Sequence, residues 1–188
     1  DLALAAAGRN PKARNLKATI LRKLGRAEEA EQIAAATLAI DPLNVRAASE
    51  QILAQRQRNT PEWRENVMRL RQLMGRNPEA FLENSVDFAN AGQWSEVMEI
   101  MRDQMLAAPV GNAAIVATEP YLLASALERG GPTGEAIQQF EAAARTSPEF
   151  CFPSRFEEEP LLRRAMEVNP KDANAAYLLG CLLYDNQP

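Results

Sequence analysis

The chain of 188 residues contains no histidine, and that absence removes much of the chemistry a protein surface can carry. Imidazole acid–base relays, Cys–His and Ser–His–Asp nucleophilic sites, and histidine-bearing zinc or iron centres are excluded. Carboxylates, arginines and two cysteines remain. Glu157, Glu158 and Glu159 are consecutive, so on a helix they fan apart instead of converging on one atom. Their place suits the positive end of a helix, with Ser154 and Glu157 forming a capping box. Glu96, Glu99 and Asp103 fall three and four apart on one helical face. That spacing can turn oxygens toward a cation, and it is equally the spacing of a solvated face. Gly130-Gly131 has no lysine at the distance a phosphate loop needs. Cys151 and Cys181 form no close pair and read as reduced thiols, although one disulfide fits the count. The expectation is no catalytic residue, no cofactor and no metal: a chain that is not an enzyme.

Residues suited to contact rather than reaction are better represented. Arg56, Arg58, Arg64, Arg71 and Arg76 cluster in one stretch. Arg64 and Arg71 share a helical face opposite much of the Trp63 stripe, a geometry for an acidic tail or the carboxylates of a neighbouring domain. Asn84 and Asn90 carry side-chain amides. The run Cys151-Phe152-Pro153-Ser154-Arg155 is an aromatic–proline loop suited to local packing or to contact with a second domain or subunit. Trp63 and Trp94 are expected in the core.

These side chains must be positioned by helices. Helical periodicity runs almost throughout, and strand-like alternation is nearly absent. Aromatics are only 6 %, and much of the apolar content is alanine, the best helix former. A helical tail at residues 2–7 stops at Gly8. Helix pairs are expected at about 12–41, 44–76, 79–108 and 113–147, then an irregular loop at 149–156 and last helices at 157–168 and 172–184, the final pair reading as truncated. Thr60 is expected as a cap with Pro61 opening the following helix. Pro120 leaves the start of the 113–129 helix open, and Pro160 bends or delays the helix that follows the loop. No apolar run approaches the length of a membrane span.

Turn glycines set a repeat. Gly25 is followed by Ala30 at +5 and Pro42 at +17, and Gly92 by Val97 at +5 and Pro109 at +17. Gly131 is followed by Ala136 at +5, Phe140 at +9, Ala143 at +12 and Pro148 at +17. Glycine lets the chain leave one helix left-handed, the small residue permits a close helix crossing, Phe140 fills the space within a pair, and proline ends the second helix. A single pair cannot bury its apolar face, so pairs stack. The unit from Asn44 to Pro78 lacks the turn glycine and carries Arg58-Asn59-Thr60-Pro61 instead.

This spacing resembles the tetratricopeptide repeat, with Leu123, Ala124 and Leu127 in the first helix of the best copy and Gly180 in the first helix of a last one. The resemblance implies an all-α fold, a right-handed α-α superhelix of tetratricopeptide-like hairpins spanning 1–188. The strings Asn15–Ala18, Leu21–Arg26, Asp41–Leu43, Asp87–Gly92 and Cys151–Arg155 also look like a bacterial family in which such a region follows a domain of unknown function related to aldose-mutarotase sandwiches. The implied function is a non-catalytic scaffold for protein or interdomain contacts. A peptide-binding adaptor, for which the resemblance implies use of the Asn84 and Asn90 amides toward an extended peptide, and an accessory region of a carbohydrate-active enzyme are the alternatives. The expected partner is a protein, either another domain of the same polypeptide or a second subunit, with no nucleic acid and no membrane, in the cytoplasm. Charge divides unevenly: residues 1–76 carry +6 and residues 77–188 carry −10, giving −4 in all. Acids are interspersed among the basic residues and no stacking aromatics interleave with them, which argues against nucleic acid.

Overall fold

The computed structural model describes residues 8–75, 78–107, 118–149 and 152–185. They form ten helices: α1 (Pro11–Lys23), α2 (Ala27–Leu38), α3 (Val45–Gln57), α4 (Trp63–Met74), α5 (Pro78–Asn90), α6 (Trp94–Ala107), α7 (Glu119–Gly130), α8 (Thr133–Ala143), α9 (Glu158–Val168) and α10 (Ala173–Asp185). No strand occurs among the described residues. The chain is all-α, built of paired helices, and divides into two compact units, residues 1–75 and 76–188. The tail at residues 2–7, Arg76, the expected loop at 108–112, Pro109 and Cys151 lie outside the described residues.

In the first unit each helix packs on the next, and α1 also touches α3. Contact between alternate helices means that hairpins stack, as a solenoid requires. Small residues make the stacking close: Ala18, Ala30, Ala34, Ala47 and Ala54 are almost wholly buried. Leu21, Ala30 and Ala54 form a cluster across α1, α2 and α3, with Ile33 against it. Asn10 caps α1 by accepting from the Lys12 and Ala13 N–H groups, and Asn44 caps α3 by accepting from Ala47 N–H.

In the second unit α5 packs on α6, α6 on α7, α7 on α8 and α9 on α10. The alternate contact recurs, α7 against α9. Ala136, Phe140 and Ala143 on α8 are buried, as are Leu122, Leu123, Ala124 and Leu127 on α7. Asn174 of α10 donates to the carbonyls of Ala144 and Thr146 at 2.8 and 2.6 Å, closing the end of α8. Pro120 lies in the first turn of α7 and Pro160 in that of α9, where a missing N–H costs nothing because those donors have no partner within the helix.

The turns share one geometry that the glycine pattern only partly announces. After α1, Arg26 N–H bonds Leu21 C=O with Gly25 at φ +78°; after α5, Gln93 N–H bonds Phe88 C=O with Gly92 at φ +69°. After α3, Thr60 N–H bonds Gln55 C=O with Asn59 at φ +56°. All three are six-to-one closures with a left-handed residue, and asparagine is the side chain that tolerates this best after glycine. Thr60 therefore does not cap α4: its hydroxyl donates back to Gln55 C=O, and the helix opens at Trp63. Gly131 departs from the pattern. Its backbone is extended, with φ −124°, and Gly130 still belongs to α7. What Gly131 supplies is space, because a Cβ there would stand 3.0 Å from Leu127 Cδ2 and 3.1 Å from Met98 Sδ. Pro42 is exposed and Pro148 half-buried, each beyond the end of a second helix.

Candidate functional site

Polar side chains that face between helices are largely bonded to each other. In the first unit Glu50 of α3 is fully buried. It accepts from Thr19 Oγ1, from Arg22 Nε at 2.8 Å and from Arg46 Nη2 at 3.1 Å. Asn15 Nδ2 donates to Asn44 Oδ1 at 3.0 Å, extending the polar contact between α1 and α3. On the other side of α3, Gln55 donates to Glu31 of α2 and accepts from Asn66 of α4, each at 2.9 Å, so one side chain links three helices.

In the second unit two buried carboxylates do similar work. Glu158, in the first turn of α9, accepts from Thr118 Oγ1 at 2.6 Å and from the backbone N–H groups of Ser154 and Arg155 at 3.0 and 2.9 Å. The expected Ser154–Glu157 box is thus replaced: the helix opens one residue later, and Glu158 turns inward and holds the loop. Asp172 accepts from the Tyr121 hydroxyl at 3.0 and 3.1 Å and from Ala175 N–H at 2.9 Å, capping α10. Burial, then the Asp172 charge and hydrogen bond, push the Tyr121 phenol well above its ordinary range, so it stays a donor.

Loop 152–157 is consequently tied down at several points. Glu158 fixes two of its amides, Pro153 is buried, and Arg155 Nη1 pairs with Glu79 of α5 at 2.8 Å. Yet Phe152 and Phe156 are 67 % and 63 % exposed. Exposing two phenylalanines on an anchored backbone forgoes several kcal/mol of burial (about 2 each) that a partner can recover. Sequence reasoning named Phe152 and missed Phe156, whose signal was its spacing of four from Phe152.

The other expected contact residues are dispersed. Arg64 is exposed, its guanidinium 4.7 Å from the Trp63 ring centre, with Arg56 at 4.4 Å over the same ring. Arg71 is half-buried and reaches Met68 Sδ at 3.9 Å. Asn84 is 4 % exposed and belongs to the interior. Asn90 is exposed at the end of α5. Neither tryptophan is a core residue: Trp63 and Trp94 are half-buried, and Arg129 lies 4.2 Å over Trp94. An indole face stacked by guanidinium can stand at the surface at little cost, which apolar periodicity does not distinguish from a core position. Glu96 is buried and accepts from Ser95 Oγ at 2.7 Å. Among the described residues no group of three His, Cys, Asp or Glu side chains is placed to hold a metal ion. Nor is any described helix long and apolar enough to cross a membrane. Cys181 is a free thiol, half-buried on α10.

No protein-family model and no curated protein matches the chain. Solved structures with overall likeness include YrrB, a TPR protein with an unusual peptide-binding site. It is 14 % identical with TM-score 0.39, over 93 % of this chain and 94 % of that one. A putative kinesin light chain of Podosopora anserina with nearly identical TPR-like repeats is 15 % identical with TM-score 0.36, over 95 % and 99 %. A double mutant of MamA RS-1 is 14 % identical with TM-score 0.36, over 95 % and 97 %. Likeness at this distance assigns no ligand or activity to the present chain.

Proposed function

We propose that the chain is a non-catalytic protein-interaction module that engages a protein, another domain of its own polypeptide or a second subunit, through the loop bearing Phe152 and Phe156. One observation carries the reading: two largely exposed phenylalanines on a backbone anchored by Glu158 and by the Arg155–Glu79 pair. Preorganised aromatics are effective binding anchors, since little conformational freedom is lost when they are buried. A peptide-binding adaptor draws less support, because Asn84 is interior and the polar groups between α1 and α3 bond one another. The link to a mutarotase-like domain has short sequence strings as its only support.

A photocrosslinking amino acid at position 152 tests the reading in the organism that makes the protein. The expected result is one defined protein adduct, lost when Phe156→Ala is added. A crosslinker at exposed Lys171 serves as control. The same adduct pattern from both positions, or none from 152, counts against the loop as an interface.

A further inference from the structure

The loop that bears Phe152 and Phe156 is fastened to α5, and the two segments together are strongly acidic. Residues 147–159 contain four glutamates and one arginine, and α5 contains Glu79, Glu83 and Asp87 and no basic residue. These two segments hold six of the ten excess negative charges of residues 77–188. The one arginine, Arg155, is taken up by Glu79 at 2.8 Å. On α5 the three carboxylates recur every four residues, so they follow one face for about 12 Å. All three residues are exposed. So are Glu149, three residues before Phe152, and Glu157, directly after Phe156. The acidic face of α5 is turned to the loop. Burial works against the charge of Arg155, and Glu79, then Glu158 and Glu83, hold its pKa above the ordinary value.

We propose that the aromatic loop and the acidic face of α5 form one docking surface, and that its occupant is a lysine- and arginine-rich segment of a partner protein. Charge complementarity selects this occupant, because an acidic segment brought to the same place is repelled. A cationic side chain can pair with an α5 carboxylate while its neighbour lies over a phenylalanine face. The chain already uses such stacking internally, with arginines over Trp63 and Trp94. Each exposed ion pair contributes little, so the aromatics supply the anchor and the carboxylates supply selectivity and encounter rate. This rests on the loop serving as the interface and adds the chemistry of what meets it.

The crosslinker at position 152 tests it once charge reversals are added and the crosslinked partner peptide is sequenced by mass spectrometry. That peptide is expected to carry more lysine and arginine than aspartate and glutamate. Glu83→Lys with Asp87→Lys should lower the adduct yield at least about fivefold. Asp87→Lys alone, two turns from Glu79 and so remote from the Arg155 anchor, should lower it at least about twofold. Glu135→Lys with Glu141→Lys, exposed on α8, changes the net charge equally and should leave the yield unchanged. Unchanged thermal unfolding by circular dichroism shows that the variants fold. An adduct to an acidic or neutral peptide overturns the proposal and leaves the loop as an interface. So does a yield that ignores both α5 variants, or one that falls as far in the α8 control. No adduct from position 152 overturns the loop reading and the basic occupant together. Pelleting of the purified chain with phosphatidylcholine vesicles, abolished by Phe152→Ala, also overturns the proposal and assigns the phenylalanines to a lipid surface.

Discussion

Glu50 is a buried carboxylate whose oxygens are taken up by neighbouring side chains. Its oxygens hold Arg22 and Arg46 within the contact between α1 and α3, and all three side chains are largely or wholly withdrawn from water. Removing one partner of such a group leaves buried charge uncompensated, so Glu50→Gln should destabilise the first unit by about 3 kcal/mol. Urea unfolding followed by Trp63 fluorescence in a Trp94→Phe background measures this, because each unit holds one tryptophan. An unchanged midpoint would mean that the cluster reorganises freely. Glu128 is the contrasting surface case. Hydrogen bonds from Arg164 at 2.7 and 3.1 Å hold its pKa below the usual carboxylate range, against a smaller opposing effect of burial. With the folded value depressed, the stabilisation is complete above the unfolded value of about 4.3 and disappears as pH falls through the folded one. Glu128→Gln should therefore lower stability near neutrality by only about 0.5 kcal/mol, the pair being partly solvated, and should flatten the acid limb of the pH–stability curve. A variant curve parallel to the wild type at every pH would exclude this assignment.

Between helices, the turn closures make a sharper claim than the glycine spacing does. Gly25 and Gly92 stand at positive φ with open space around a hypothetical Cβ, so the penalty of a substitution there is torsional. Gly131 has an ordinary φ and crowded surroundings, so the penalty there is steric. Gly92→Ala should cost about 1 kcal/mol and Gly92→Asn less, since asparagine enters the left-handed region more readily. At Gly131 the order reverses, the larger asparagine being the worse of the two. Thermal melts of the four variants decide it, and alanine better than asparagine at position 92 would refute the torsional account. Tyr121→Phe should cost about 1.5 kcal/mol by removing one donor from the buried Asp172 cap. The helices themselves were legible because their apolar stripes are long: Phe81, Ser85 and Phe88 of α5 are buried as their period requires. Helix starts were less legible. Thr60 next to Pro61 has the composition of a cap, but its hydroxyl is turned back to Gln55 C=O beside the closure that Asn59 makes possible, and the helix opens at Trp63. The contact residues were the least legible, because exposure is a tertiary outcome. Asn84 sits within α5 and Phe152 in the loop before α9, and the packing of neighbours sends one inside and leaves the other out.

Across the whole chain, the missing histidine has a consequence for stability as well as for catalysis. Proton-linked stability requires a group that binds protons differently in the folded and unfolded states within the pH range considered. From about pH 6 to 8 histidine is the side chain that ordinarily supplies one, and there is none here. Side chains with ordinary carboxylate, lysine or arginine values do not titrate in that range, and the Tyr121 phenol is moved further from neutrality by burial and by Asp172. Formal charge thus stays near −4, and so does the opposition between +6 over residues 1–76 and −10 over the remainder. The urea midpoint should be flat between about pH 6 and 8, and should decline only below about pH 5 as carboxylates such as Glu128 take up protons. Measuring the midpoint at three pH values in that neutral window is sufficient. A slope there larger than the error of the linear extrapolation would reveal a titrating group with a pKa far from its ordinary value.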